Sequence, residues 1–182
     1  LVSEDIINGL FKKFNPQIWC SGGSAANTIA GVASLGSQAA FLGKVKNDSR
    51  GIAFKSDIKS FGVEFGTKFS NSGPATATCI VLVTPDAERT MITFLGASLG
   101  LSVDDVEPKK IKNSLITYLE GYLWDPPGAK EAFLRASDVA HNADKLVAFS
   151  LSDIFCVSRH KSEFKKLVDD HIDILFANED EI

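Results

Sequence analysis

The chain has 182 residues, of which 45% are hydrophobic and 23% charged, with a formal net charge of −4. That length and balance give one domain with a sizeable core and exclude a disordered or fibrous chain. The acidic balance argues against nucleic-acid binding, and no apolar run approaches the roughly 18 residues of a membrane span. Ser3 is placed to cap a helix through Phe14, with Glu4 and Asp5 at its positive end. Ile18-Trp19-Cys20 reads as a short strand. Ser24 to Leu35 reads as a helix burying Ala25, Ile29, Val32 and Ala33. Ala39 to Leu42 reads as a strand, and Asp48 to Phe61 as a helix ending near Gly62.

Two β-branched runs, Thr76 to Val83 and Arg89 to Leu95, flank the turn residues Pro85-Asp86 and read as an antiparallel ribbon. After them come a strand at Leu115–Leu119, a helix at Lys130–His141 and a strand at Leu146–Phe149. A helix at His160–Asp170 and a strand at Ile172–Phe176 follow. Short apolar runs alternating with helices of about 10–12 residues are the mark of a parallel sheet covered by helices. The lysine clusters Lys109-Lys110-Lys112 and Lys165-Lys166 lie among acids and read as solvated helix faces. Cys20, Cys79 and Cys156 show no C-x-x-C spacing, so neither a disulfide framework nor a zinc site is expected and a cytoplasmic location fits. His141, His160 and His171 share no metal-ligand spacing and read as helix-end residues.

Several residues could carry chemistry. Gly22-Gly23 directly precede a small-residue helix; glycine there admits positive φ or a closely approaching ligand, and the helix start offers free N–H groups. Asn27 in its first turn has donors and an acceptor for ligand hydroxyls. A tight strand–helix turn accounts equally for the pair. Glu120, just past an apolar strand, is either a hydroxyl acceptor or a solvent-facing loop residue. Asn178 and Glu181 follow the last strand, where ligands of open α/β sheets bind; the same pair also fits a capping box. Ser152-Asp153 follow another strand end and could line the same crevice or cap a helix.

In order, Gly22-Gly23-Ser24-Ala25-Ala26-Asn27-Thr28, Leu35-Gly36, Phe41-Leu42-Gly43-Lys44-Val45 and Asn47-Asp48-Ser49-Arg50-Gly51 resemble the first signature of the PfkB (ribokinase-like) family of carbohydrate and nucleoside kinases. Lys46 stands where that family commonly has glycine. The ribbon sequence and "YLEGYLWDPPGAKEAF" are similar to its bacterial adenosine-kinase-like branch. The resemblance implies an α/β fold: a ribokinase-like three-layer α/β/α domain with a mainly parallel central sheet and a small β-lid. Residues 1–182 would be a partial domain of this kind, with lid strands at about 17–21 and 74–96. It further implies an ATP- and Mg²⁺-dependent kinase that adds the γ-phosphate to a hydroxyl of a sugar or nucleoside. Gly22, Gly23, Asn27 and Glu120 would bind that substrate. Asn178 and Glu181 match the family's N-x-x-E motif around Mg²⁺ and phosphate. A homodimer through the β-lid is a further expectation.

The family's second signature, a D-T-x-G-A-G-D run carrying the general base and anion hole, does not occur in the 182 residues. The first family strand, with its sugar-gripping aspartate, is also missing upstream of Leu1. With no methionine at the start and a segment opening at Asn178, the expectation is a central fragment, inactive by itself because phosphoryl transfer rests on positioning and electrostatic stabilisation. Two other readings stay open: a non-catalytic sugar- or nucleoside-binding or regulatory domain, and a plain α/β assembly module using the ribbon for dimerisation.

Overall fold

The computed structural model of the protein describes residues 1–14, 16 and 18–182; Gln17, where the first lid strand was expected to begin, lies outside the described residues. The chain forms two compact units, Leu1–Gly22 with Ala30–Leu99, and Gly23–Ile29 with Gly100–Ile182.

In the first unit, helix α1 (Glu4–Lys13) starts at Ser3, whose hydroxyl accepts from the Ile6 N–H, with acids in its first turn and lysines in its last. Both charge placements suit the helix dipole. Helix α2 (Ser24–Ser34) contributes its first turns to the second unit. Strand β1 (Ala39–Phe41) pairs in parallel with β2 (Val63–Phe65), and helix α3 (Ser49–Ser60) makes the crossover. Asp48 caps α3 by accepting from the Gly51 N–H at 2.8 Å. Gly62, at φ 84°, turns the chain from the end of α3 into β2. Phe41, Phe54 and Phe65 pack as a cluster with ring centroids 5.7–6.1 Å apart, a spacing favourable to aromatic pairs. Strands β3 (Thr78–Val83) and β4 (Arg89–Phe94) form the antiparallel ribbon, with Val81 opposite Met91.

In the second unit, helix α4 (Pro108–Asn113) leads to strand β5 (Ile116–Glu120). Helix α5 (Pro127–His141), strand β6 (Leu146–Ser150), helix α6 (Ile154–His171) and strand β7 (Ile174–Phe176) complete it. The strands lie in the order β5-β6-β7, all parallel. Central β6 buries Val147, Ala148 and Phe149, as an unbroken apolar run covered by helices should. Phe149 meets Phe164 of α6 edge-on at 5.1 Å, and Trp124 packs 5.9 Å from both Phe133 and Phe164. Truncating Phe149 to alanine is expected to cost about 3–5 kcal/mol.

The structure differs from the sequence expectation at several points. Ile18, Trp19 and Cys20 belong to no strand; Trp19 is exposed and stacks on Phe11 at 5.1 Å, a ring contact in place of a backbone ladder. Of the positions expected to be buried on α2, Ala25, Ile29 and Ala33 are half-buried and Val32 is exposed; Ala26 is its buried residue. Helix α5 starts at Pro127 rather than Lys130, since proline serves well in the first turn. Helix α6 starts at Ile154, capped by Asp153, and bends at His160 (φ −123°), so His160 marks a kink inside the helix rather than its start. Strand β7 starts late because the Asp173 carboxylate accepts the Val147 N–H at 2.7 Å and meets His141 at 3.0 Å. Strand β2 was not anticipated as an element, while the helix face read at Lys109-Lys110-Lys112 is helix α4.

Candidate functional site

Because β5, β6 and β7 are parallel neighbours, their carboxyl ends share one edge, and the register aligns Glu120 with Ser150 and Ser150 with Phe176. Glu120 ends β5 and is 7% exposed, so it is not a solvent-facing loop residue. Each of its carboxylate oxygens accepts a hydroxyl: Tyr118 donates to Oε2 at 3.1 Å and Ser152 to Oε1 at 2.5 Å. Tyr118 reaches it because residues two apart on a strand share a face. Those hydroxyls supply the partners a buried carboxylate requires.

The side chains of Ser150 and Thr28 lie near enough to the Tyr118 hydroxyl to favour its ionised form. Burial pushes its ionisation up, the Ser150 side chain works against this, and the Glu120 charge adds to the rise. Since Thr28 follows Asn27, its nearness to Tyr118 sets the start of α2 close to the end of β5. The structure thereby brings the Asn27 turn and Glu120 together. Asn27 is itself exposed, with its backbone N–H donating to the Gly23 carbonyl at 2.8 Å.

Gly23 has φ 107°, a left-handed conformation that favours glycine. No atom lies within 4 Å of where a Cβ would stand on Gly22 or Gly23. Close packing therefore does not demand the pair: the turn accounts for Gly23, and Gly22 borders open space. Gly22 falls in the first compact unit and Gly23 in the second.

Asn178 and Glu181 lie beyond β7 and bind one another. Asn178 Nδ2 donates to Glu181 Oε1 at 2.8 Å, the Asn178 N–H donates to Glu181 Oε2 at 3.3 Å, and Asn178 Oδ1 accepts the Asp180 and Glu181 N–H groups at 3.0 Å. This is the reciprocal bonding of a capping box. Each Glu181 oxygen keeps an open lone pair and Asn178 Nδ2 keeps a second hydrogen, so the cap does not preclude work on a ligand.

Near Glu120, burial and then the Asp153 charge push the Tyr122 hydroxyl up to about 12. Burial likewise lifts the Cys156 thiol to about 11, with Arg159 opposing. Neither group is a base or nucleophile at neutral pH. Asp153 caps α6, accepting the Cys156 N–H at 2.6 Å, while Ser152 turns to Glu120. Sequence reasoning missed Tyr118; its one legible signal is the alternation Tyr118-Leu119-Glu120 at a strand end.

The family model for pfkB family carbohydrate kinases matches residues 20–182, and the chain belongs to that family. It is 28% identical over 166 residues to fructokinase-1 of Zea mays, a match covering 88% of this chain and 51% of that protein. It is 29% identical over 143 residues to a 5-dehydro-2-deoxygluconokinase of Clostridium perfringens, covering 77% and 41%. The structure of adenosine kinase from Sinorhizobium meliloti superposes with a TM-score of 0.91 at 46% identity, over 99% of this chain and 55% of that one. A probable sugar kinase from Rhizobium etli gives 0.91 at 43%, with the same coverage. The fold is thus ribokinase-like α/β, and the chain spans about half the length of the relatives it matches.

Proposed function

We propose that the whole protein transfers the γ-phosphoryl group of ATP to a hydroxyl of a nucleoside or sugar, with adenosine the first acceptor to test. The observation that carries this reading is the buried Glu120 carboxylate, held between two hydroxyls at the carboxyl edge of the parallel sheet, with Thr28 of the Asn27 turn near its partner Tyr118. A fixed carboxylate and the exposed Asn27 amide together offer acceptors and donors for ligand hydroxyls. Gly22 and Gly23 leave the acceptor room to approach the helix start. The 46% identity to a bacterial adenosine kinase makes adenosine the first acceptor to test, with sugars beside it because a probable sugar kinase is 43% identical.

In the transfer, the acceptor hydroxyl gives up its proton to a general base in the rest of the whole protein, its oxygen bonds to the γ-phosphorus, the bond to the β,γ-bridging oxygen breaks, and ADP leaves. Asn27 and Glu120 orient the acceptor hydroxyls, which is the larger part of catalysis for this reaction. The ribbon of β3 and β4 acts as the lid, excluding water so that ATP is not hydrolysed. Asn178 and Glu181 would serve together: the Glu181 oxygens suit Mg²⁺ held through its waters, since this ion keeps several of them, and the remaining Asn178 Nδ2 hydrogen suits a phosphate oxygen; the ion would neutralise phosphate charge. The 182 residues contain no Gly-Ala-Gly-Asp run, so turnover belongs to the whole protein. The exposed Val81, Val83 and Met91 of the ribbon support a homodimer through the lid.

The test is ADP release by the whole protein with Mg-ATP and a panel of nucleosides and sugars, beside Asn27→Ala. Acceptor-dependent release that falls at least tenfold in the variant supports the proposal. Binding of an acceptor without any turnover would favour the non-catalytic binding domain.

A further inference from the structure

We infer that Ser152 is the positioning residue of the Glu120 carboxylate and thereby tunes affinity for the phosphoryl acceptor; this rests on the reading of Glu120 as an acceptor-binding group. Ser152 stands two residues past β6 with φ 76°, a left-handed backbone. Glycine is the residue that enters this region without steric cost, so a serine there points to work done by its side chain. The other described non-glycine residues in that region are Ala87, in the turn between β3 and β4, and Asp144, in the turn after α5. Ser152 alone of the three adjoins the sheet edge that carries Glu120.

Every polar group of Ser152 is engaged. Its N–H donates to Ser150 Oγ at 3.2 Å, and its carbonyl accepts the Tyr122 hydroxyl at 3.2 Å. Its hydroxyl oxygen accepts the Tyr122 N–H at 3.1 Å while its proton faces Glu120 Oε1 at 2.5 Å. The Ser150 carbonyl, at 3.4 Å, is the weaker alternative acceptor for that proton. Accepting from a backbone amide on one side aims the proton at the carboxylate on the other.

Gly121 makes the approach feasible. A Cβ there would stand 2.8 Å from the Ser150 carbonyl oxygen and 3.0 Å from Ser152 Oγ. The Glu120-Gly121 backbone therefore lies against the Ser150–Ser152 turn more closely than any side chain would allow. With Tyr118 on Oε2 and Ser152 on Oε1, the carboxylate is fixed in orientation, and each oxygen retains a lone pair for an acceptor hydroxyl. Preorganisation of this kind acts mainly on binding.

The experiment compares Ser152→Gly, Ser152→Ala and Glu120→Gln in the whole protein, reading KM and kcat with Mg-ATP for adenosine and, in parallel, D-fructose, together with Tm. Ser152→Gly removes the hydroxyl while easing the backbone, so it should melt no lower than the parent yet raise the acceptor KM about tenfold, the cost of one hydrogen bond to a charged group. KM for ATP should stay unchanged. Ser152→Ala should show the same KM rise with a lower Tm. An unchanged acceptor KM in Ser152→Gly, with Glu120→Gln impaired, overturns the role of Ser152 and leaves Glu120 as the acceptor group. An unimpaired Glu120→Gln overturns both.

Discussion

Asp48 and Thr76 are joined twice: the Thr76 N–H donates to Asp48 Oδ2 at 2.9 Å and its hydroxyl donates to Oδ1 at 2.7 Å. Asp48 also caps α3 through the Gly51 N–H, so one carboxylate fixes both the helix start and the entry to the ribbon. Burial alone would raise its pKa, but the Thr76 and Gly51 amides, the Thr76 hydroxyl and the Arg50 charge together hold it below the ordinary 3.8. A depressed carboxylate contributes stability above its unfolded pKa and loses it as pH falls through the folded value. Asp48→Ala is expected to cost about 2–4 kcal/mol at pH 7, from a lost cap and an orphaned Thr76 amide. The penalty should shrink below pH 3.8. Urea titrations of parent and variant at neutral and acid pH measure both.

Gly51 is a steric requirement of the same corner. A Cβ there would stand 2.1 Å from the Lys46 carbonyl oxygen, and backbone atoms cannot yield as a flexible side chain can. Gly51→Ala should destabilise by about 1–3 kcal/mol, as overpacking does. Gly22→Ala, with open space around it, should leave Tm within about 1 °C while weakening acceptor binding, as the proposed substrate-side role of this glycine requires. Thermal melts beside acceptor titrations separate the two cases.

Trp124 and Glu163 provide the third prediction. The Trp124 indole, 4% exposed, donates to Glu163 Oε2 at 2.8 Å, and Lys130 donates to the same oxygen. The Lys130 and Trp124 bonds hold the Glu163 carboxyl below its usual range. Glu163→Ala orphans a buried N–H and should cost about 1–3 kcal/mol at pH 7, whereas Lys130→Met should cost under about 1 kcal/mol, as exposed pairs do. Because the folded pKa is depressed, the Glu163→Ala penalty should fade as pH drops through it. A Glu163→Ala loss that matches Lys130→Met at every pH would contradict this ordering.

Cys156 should resist thiol reagents in the native state. Its thiol is buried, donates to the Gly121 carbonyl at 3.2 Å and is pushed up to about 11, so the reactive thiolate is scarce at neutral pH. Cys20 and Cys79 are exposed. Timed labelling with an aromatic disulfide should modify those two first and Cys156 only on unfolding.

The alternation of sheet and helix was legible because β6 is an unbroken apolar run and α5 carries a proline start and a clear apolar face. Strand β2 was not, since Val63-Glu64-Phe65 is too short for periodicity to register. Trp19 misled: an aromatic β-former signals a strand only if a partner strand is present, and Phe11 claims its ring instead. At the site, Gly23, Asn27, Glu120, Asn178 and Glu181 were readable as candidates from their places after strands or before a helix. The burial of Glu120 was not, because its hydroxyl partner Ser152 lies 32 residues away. Nor does any local pattern announce a left-handed serine.

The most direct test of the account is ³¹P NMR of the whole protein incubated with Mg-ATP and adenosine. The account predicts a new phosphomonoester resonance growing in step with ADP, absent without adenosine and strongly reduced in Glu120→Gln. Release of inorganic phosphate alone, or a phosphomonoester formed equally well by Glu120→Gln, would contradict it.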